Sequence, residues 1–227
     1  MRYERIISAK FISRPNRFIA YVDIEGESVL VHVKNTGRCR ELLTPGATVY
    51  LSVSDNPARK TKYDLIAVEK ATDNGVILIN MDSQVVNGVA EEYLSSLFPT
   101  AKIKREVTFG KSRFDFYIEN GNDRIFCEVK GVTLENGGVV SFPDAPTERG
   151  VKHLNELILA KSQGYDAWVL FVVQMKGAKY LTPNDKTHKE FGDTLRRARE
   201  CGVRVRAISC QITPDTIIPN EEMEVRL

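Results

Sequence analysis

Apolar and polar positions alternate in short runs through the first eighty residues. The runs cover residues 3–11, 18–24, 28–33, 48–53, 63–69 and 76–80. Successive side chains of a strand point to opposite faces, so this alternation predicts half-buried strands. Turn formers separate them: Pro15-Asn16, Glu25-Gly26-Glu27, Pro45-Gly46, Asp55-Asn56-Pro57 and Asp73-Asn74-Gly75. No long helical stripe interrupts this part. Short strands packed this densely predict a small closed barrel of the OB type, an architecture that binds oligonucleotides across one face.

The period changes after Met81. Residues 83–98 place Val85, Val86, Val89, Ala90, Tyr93, Leu94 and Leu97 at helical spacing. The boundary is therefore set between a barrel over residues 1–81 and a second domain over 82–227. In that domain residues 102–107, 114–118 and 124–129 predict three strands in succession. Residues 147–162 predict a helix, with Thr147 as N-cap and Gly164 just past its end. The apolar run over 167–173 suits a strand buried on both faces. Residues 185–200 predict a second helix, capped by Asp185 and stopped at Cys201-Gly202, and 203–210 a final strand. The expected fold class is mixed α/β: a barrel, then a mixed sheet with helices packed on it.

Composition adds little until its distribution is considered. Of 227 residues, 42% are hydrophobic and 27% charged, with a net charge of +2. This is an ordinary globular balance. Between Lys34 and Lys62, however, six basic residues (Lys34, Arg38, Arg40, Arg59, Lys60, Lys62) face two acidic ones (Glu41, Asp55). Such a patch attracts a phosphate backbone, although a solvated loop has the same composition. The four cysteines form no C-x-x-C pair, which excludes a zinc finger and a disulfide framework. The first residues lack a signal-peptide core, and no stretch reaches the roughly 20 apolar residues that span a bilayer. A reduced, cytoplasmic protein with no membrane partner is expected.

The candidate chemistry lies in Ser112-Arg113-Phe114-Asp115-Phe116 and Cys127-Glu128-Val129-Lys130. Asp115 and Glu128 each interrupt an apolar strand run, and a buried carboxylate needs a partner, either a cation or an Arg or Lys. Residues two apart on a strand share a face, so Glu128 and Lys130 point the same way. The turn formers over residues 119–123 make the Asp115 and Glu128 strands a hairpin. Two carboxylates and a lysine then converge. With Mg2+ or Mn2+ held by Asp115, Glu128 and the Val129 carbonyl, that trio fits phosphodiester hydrolysis, Lys130 orienting water or meeting charge on phosphorus. The same spacing also serves a plain ion pair between Lys130 and Glu128.

Many ordered stretches carry a resemblance to a known family. They include Arg17-Phe18 with Asp23, Val31-His32-Val33-Lys34-Asn35-Thr36-Gly37, and Ser54-Asp55-Asn56-Pro57-Ala58-Arg59-Lys60. In the second half they include Ser112-Arg113-Phe114-Asp115-Phe116, Glu128-Val129-Lys130-Gly131-Val132-Thr133-Leu134, Phe142-Pro143-Asp144-Ala145-Pro146-Thr147-Glu148-Arg149-Gly150, Lys152-His153-Leu154-Asn155-Glu156-Leu157 and Phe171-Val172-Val173-Gln174. Along nearly its whole length the chain resembles the sugar fermentation stimulation protein A family. The resemblance implies an N-terminal OB-like barrel and a C-terminal domain of the PD-(D/E)XK nuclease fold, whose pattern falls on Asp115, Glu128 and Lys130. It also implies non-specific DNA binding and a regulatory link to sugar (maltose) use. The chain departs from the family at Arg38-Cys39-Arg40, where Ser-Met is commoner, and at Lys34, where Pro is usual. Both changes add positive charge.

Further candidates follow. Arg14, Arg17, Lys34, Asn35, Arg38, Arg40, Arg59 and Lys60 are candidate nucleic-acid contacts on the barrel, with Phe18 as a stacking platform if it faces outward. Arg149, Lys152, His153 and Glu156 cluster at the start of the helix after the acidic strand. They are candidate phosphate contacts, with His153 also a general base. Glu91 and Glu92 are candidate metal ligands from the first helix, and Asp144 a cap, a ligand or a partner of Arg149. No Walker or dinucleotide glycine pattern supports a sugar enzyme. Two functions fit: a metal-dependent nuclease of DNA, with single-stranded DNA or RNA as alternatives, or a non-catalytic DNA-binding regulator. Either a monomer or a homodimer is compatible with the sequence.

Overall fold

The computed structural model describes residues 1–35, 37–73 and 75–227. Thr36 of the Asn35-Thr36-Gly37 stretch and Asn74 of the Asp73-Asn74-Gly75 turn lie outside the described residues. The described residues form fifteen strands and three α-helices.

The first half is the expected barrel. Strands β1 (Ile6–Ser13), β2 (Ile19–Ile24), β3 (Glu27–Val33), β4 (Thr48–Val53), β5 (Tyr63–Thr72) and β6 (Gly75–Asn80) form a sheet ordered β3-β2-β1-β4-β5-β6. A parallel pairing between β3 and β5 joins the two sides, so that five strands close into a ring. Alternation decides what fills it: Ala9, Phe11, Ala20, Val22, Val31, Val33, Val49 and Leu51 are buried, while the residues between them are more exposed. The closing register sets His32 opposite Asp64.

Helix α1 (Val86–Leu97) begins three residues later than expected. The preceding residues are committed to the barrel: the Ser83 amide and hydroxyl both donate to the Lys34 carbonyl. Then come β7 (Lys102–Phe109), β8 (Ser112–Asn120) and β9 (Asp123–Val132), an antiparallel meander. A two-residue turn at Gly121 and Asn122 joins β8 to β9, and Gly121 takes the positive φ (60°) that such a turn needs.

Strands β10 (Glu135–Asn136) and β11 (Val139–Phe142) precede α2 (Glu148–Ser162). The Thr147 hydroxyl accepts from the Gly150 amide, the expected N-cap. Strand β12 (Asp166–Val173) runs parallel to β9 and is buried on both faces beyond its first residue. After β13 (Tyr180–Pro183), α3 (Asp185–Glu200) ends before Gly202, whose φ is +86°.

Asp185 is not the cap of α3. Asn184 holds the N-cap position without a side-chain bond, and Asp185 pairs with Arg196. Nor is β14 (Arg204–Thr213) the final strand: β15 (Thr216–Val225) follows and pairs with it. Pro219 and the charged stretch after it disguise β15 in the sequence. The proline is tolerated because β15 pairs with β13 only near residues 224 and 225, which leaves the edge at Pro219 open.

The second sheet is ordered β10-β11-β13-β15-β14-β12-β9-β8-β7. Helix α1 covers one face, with Val86, Val89, Ala90 and Leu94 in a cluster with Cys127, Val129, Trp168 and Leu170. Val151, Leu154 and Leu157 of α2 lie on the other face in a cluster with Phe114, Phe126, Val169 and Phe171. That second cluster runs on into the barrel through Ile79, Met81 and Met175, so both halves share one core. The Gln174 side-chain amide seals the junction by donating to Asn80 Oδ1 and to the Asp82 carbonyl, each at 3.1 Å.

Candidate functional site

Strands β8 and β9 pair as far as Phe116 and Cys127, and the ladder stops there. On the next strand, Glu106 takes a positive φ of 56°. Where the ladder stops, a side chain replaces a carbonyl: Asp115 Oδ2 accepts from the Val129 amide at 2.7 Å. The N–H and C=O of one strand residue point toward the same neighbour. The Val129 carbonyl is therefore directed to the side where Asp115 sits. Asp115 Oδ1 accepts from Asn87 Nδ2 of α1 at 2.8 Å, so both carboxylate oxygens are held.

Glu128 and Lys130 share the opposite face of β9, toward α2. Glu128 Oε1 accepts from Lys130 Nζ and pairs with His153 Nδ1. His153 Nε2 in turn accepts from Arg149 Nε at 3.3 Å. With Nε2 accepting, the ring proton lies on Nδ1 and is donated to Glu128. Both nitrogens of His153 are thus engaged, which orients Glu128 rather than leaving a free base. Glu128 Oε2 is buried and has no hydrogen-bond partner among the described residues.

The electrostatics of the two carboxylates differ. Burial, and then the neighbouring Glu128 carboxylate, push Asp115 above its ordinary value, outweighing the bonds from Val129 and Asn87. Burial raises Glu128 too, but the His153 bond and Lys130 outweigh it and hold Glu128 below its ordinary value. Asp115 is bonded to α1 and Glu128 to α2, yet the Glu128 charge is near enough to raise the pKa of Asp115. Glu128 keeps one buried oxygen unpartnered among the described residues, and carboxylate oxygens of this kind suit a hard divalent cation.

The other candidates of this domain are placed as follows. Glu91 pairs with Arg105, and Glu92 with the N-terminal amine of Met1. Neither reaches Asp115; the helix residue that does is Asn87, which the hydrophobic pattern gave no reason to single out. Lys152 donates to the Lys111 carbonyl at 2.7 Å. Glu156 lies against Gly110, its Oε2 buried and unpartnered among the described residues. Glu148, His188 and Glu190 also approach one another. There His188 Nδ1 accepts from the Thr147 amide, so its Nε2 proton faces Glu148 at 3.4 Å and links α2 to α3.

The barrel candidates divide into two groups. Arg14 is spent on the backbone, donating to the carbonyls of Arg17, Asn35, Gly37 and Arg38. Lys34 sits between Asp64 and Asp82, at 3.4 and 3.3 Å, and Arg59 pairs with Asp64 through both terminal nitrogens. Asn35 donates to the Met81 carbonyl and accepts from the Gly37 amide. These four build the barrel and its loop. Arg17, Arg38, Arg40 and Lys60 are exposed, and among the described residues none has a carboxylate partner. Phe18 is 57% exposed although a strand Phe usually packs inward. The Phe18 and Ile19 amides both donate to Asn16 Oδ1, and this turn holds the ring outside the barrel.

Two cavities join these groups. One of about 770 Å3 follows Arg17, Arg38 and Arg40 along the barrel and reaches Ala145 and Pro146. The other, of about 430 Å3, holds Asp115 and Val129 and is walled by Asn35, Asn87, Asp144 and Gln174. Gly37 lines both. A Cβ there would collide with the Asp144 carboxylate, so glycine is what lets the loop pass. Asp144 therefore lies in the cavity with Asp115, while Thr147 caps α2. Lys60 lies outside both linings.

Comparison with known proteins gives one consistent result. The family model described as sugar fermentation stimulation protein RE domain matches residues 67–216, and that of the SfsA N-terminal OB domain matches residues 12–79. A sugar fermentation stimulation protein homolog of Clostridium beijerinckii is 54% identical over 230 residues, covering 100% of both chains. One from Desulfitobacterium hafniense is 55% identical over 229 residues, covering 100% of this chain and 99% of its own. The structure of Pyrococcus furiosus SfsA in complex with Ca2+ superposes with a TM-score of 0.86 at 28% identity, covering 100% of this chain and 98% of its own.

Proposed function

The chain belongs to the sugar fermentation stimulation protein family, and from that premise we propose that it is a divalent-metal-dependent nuclease of DNA whose barrel holds the strand that the α/β domain cuts. The observation that carries this reading is Glu128 Oε2, buried without a partner among the described residues, together with an Asp115 whose pKa the Glu128 charge helps to raise. A structural ion pair accounts for Lys130 and Oε1, but it leaves Oε2 and the raised pKa of Asp115 unexplained. The order α1-β7-β8-β9-α2-β12, with the short strands β10 and β11 inserted before α2, agrees with the PD-(D/E)XK nuclease fold. The Ca2+ in the Pyrococcus furiosus relative supports a hard divalent cation in this family.

The residues fit Mg2+ or Mn2+ held by Asp115, Glu128 and the Val129 carbonyl. Such a cation would polarise the scissile phosphate and make water more acidic. The protein does the rest. Asn87 and the Val129 amide fix Asp115, and Arg149 through His153 orients Glu128. His153 and Lys130 together keep Glu128 ionised, and the Lys130 ammonium would meet negative charge developing on phosphorus. Arg17, Arg38 and Arg40 supply positive charge along the groove that leads through Gly37, with Phe18 as a stacking surface.

A non-catalytic DNA-binding regulator uses the same groove and differs only in turnover. Labelled single- and double-stranded DNA and RNA incubated with Mg2+ or Mn2+ separate the two. Cleavage is expected, and Asp115→Ala or Lys130→Ala should each slow it by roughly a thousandfold. Binding without cleavage of any of these substrates would establish the regulator reading instead.

A further inference from the structure

A cavity of about 550 Å3 opens where the β7–β8 hairpin faces the start of α2. Lys111 and Ser112 line it from the hairpin, and Arg149, Lys152 and His153 from the helix. Ser112 is 6% exposed, and its Oγ has no hydrogen-bond partner among the described residues. A hydroxyl is rarely left unpaired in the interior, so this one is short of a ligand.

The charge around it is mostly basic, and the lining Arg113 is paired with Glu106. Among the described residues Lys111, Arg149 and Lys152 have no acidic partner. Arg149 uses only Nε on His153, which leaves its two terminal nitrogens as a fork. The acid on the rim, Glu148, is turned toward His188 at 3.4 Å. The helix beneath is fifteen residues long, and its N-terminal end adjoins the cavity through Glu148 and Arg149, where the helix dipole adds positive potential. A hydroxyl donor, a guanidinium fork and two ammonium groups are the set that recognises a tetrahedral phosphate.

His153 lines this cavity with one edge and bonds Glu128 with the other. A phosphate held here would therefore stand one side chain away from the carboxylates. We infer that this cavity is a phosphate site that anchors the cut strand at a phosphate next to the scissile one. Its role in cleavage rests on the nuclease reading; the binding itself does not.

The test is a titration of the full-length protein with inorganic phosphate in EDTA, followed by amide chemical shifts. Saturable shifts are expected at residues 111–113 and 149–153. Ser112→Ala and the exposed-site variant Lys152→Gln should each weaken binding by roughly tenfold. No saturable shift in the wild type, or wild-type affinity in Ser112→Ala, would overturn the site. A short oligonucleotide then identifies the source. Displacement of phosphate by the 5′-phosphorylated form alone assigns a strand end, and equal displacement by the 5′-hydroxyl form assigns an internal backbone phosphate. Displacement by neither overturns the assignment to a nucleic-acid strand. Because no metal or turnover is involved, an inactive protein that binds phosphate would sink the nuclease reading and leave this one standing.

Discussion

Two places in the molecule bury carboxylates, and they are finished differently. In the barrel, Asp64 accepts from Arg59 and His32 and sits beside Lys34. Burial alone would raise its pKa, but these partners bring it down to about 2. In the α/β domain, Asp115 is pushed up by burial and by Glu128, and Glu128 Oε2 has no partner among the described residues. The first cluster is complete as folded. The second is short of positive charge, and the proposed metal site rests on that deficit.

Substitution breaks the comparison most directly. Asp64→Asn leaves Lys34 and Arg59 beside a neutral group and should cost about 3 kcal/mol in chemical denaturation. Asp115→Asn removes a repulsion and should leave metal-free stability unchanged or higher. It should, however, abolish the rise in melting temperature that Mg2+ or Mn2+ brings by binding the folded state. Equal destabilisation by both variants would show that the two clusters are alike.

Acid sharpens the same contrast. Asp64 has a lowered folded pKa, so its stabilisation is present above the usual carboxylate range and is lost as pH falls toward about 2. That loss should amount to about 2 kcal/mol. Asp115 has a raised folded pKa, so its stability contribution is present when protonated and lost as pH rises through the raised value. Lowering the pH of the metal-free protein should first relieve Asp115 and only later weaken the barrel. The cation-induced rise in melting temperature should fade before the Asp64 loss begins. Melting curves across pH, with and without Mg2+, report both.

The smallest effect concerns the arginines. Arg59 completes the barrel network, whereas Arg38 and Arg40 face outward in the groove. Arg38→Ala with Arg40→Ala should weaken DNA binding by roughly tenfold and lower the log–log salt slope by about 0.9 per lost phosphate contact. Arg59→Ala should lower stability and leave that slope nearly unchanged. A slope unaffected by the groove pair would remove the barrel from the binding surface.

The elements themselves were legible where local pattern decides them. Alternation marked the barrel strands, Thr147 marked the start of α2, and the apolar run before Gln174 marked the central strand. Strand β15 was not legible, because Pro219 and a charged stretch hide a strand that only its neighbours stabilise. Among charged residues, type and clustering pointed equally to Arg14, Arg38 and Arg59. The fold spends Arg14 on four carbonyls and Arg59 on Asp64, and leaves Arg38 without a carboxylate partner among the described residues.

The sequence by itself determined the two-part architecture and showed that Asp115 and Glu128 interrupt apolar strand runs, because strand periodicity and acids set in such runs are local facts. Tertiary structure alone decided which partner each charge takes. Asn87 reaches Asp115 across 28 positions, His153 reaches Glu128 across 25, and Lys34 reaches Asp82 across 48. The energy of a buried charge depends on what stands within a few ångströms of it, and no spacing along the chain records that distance.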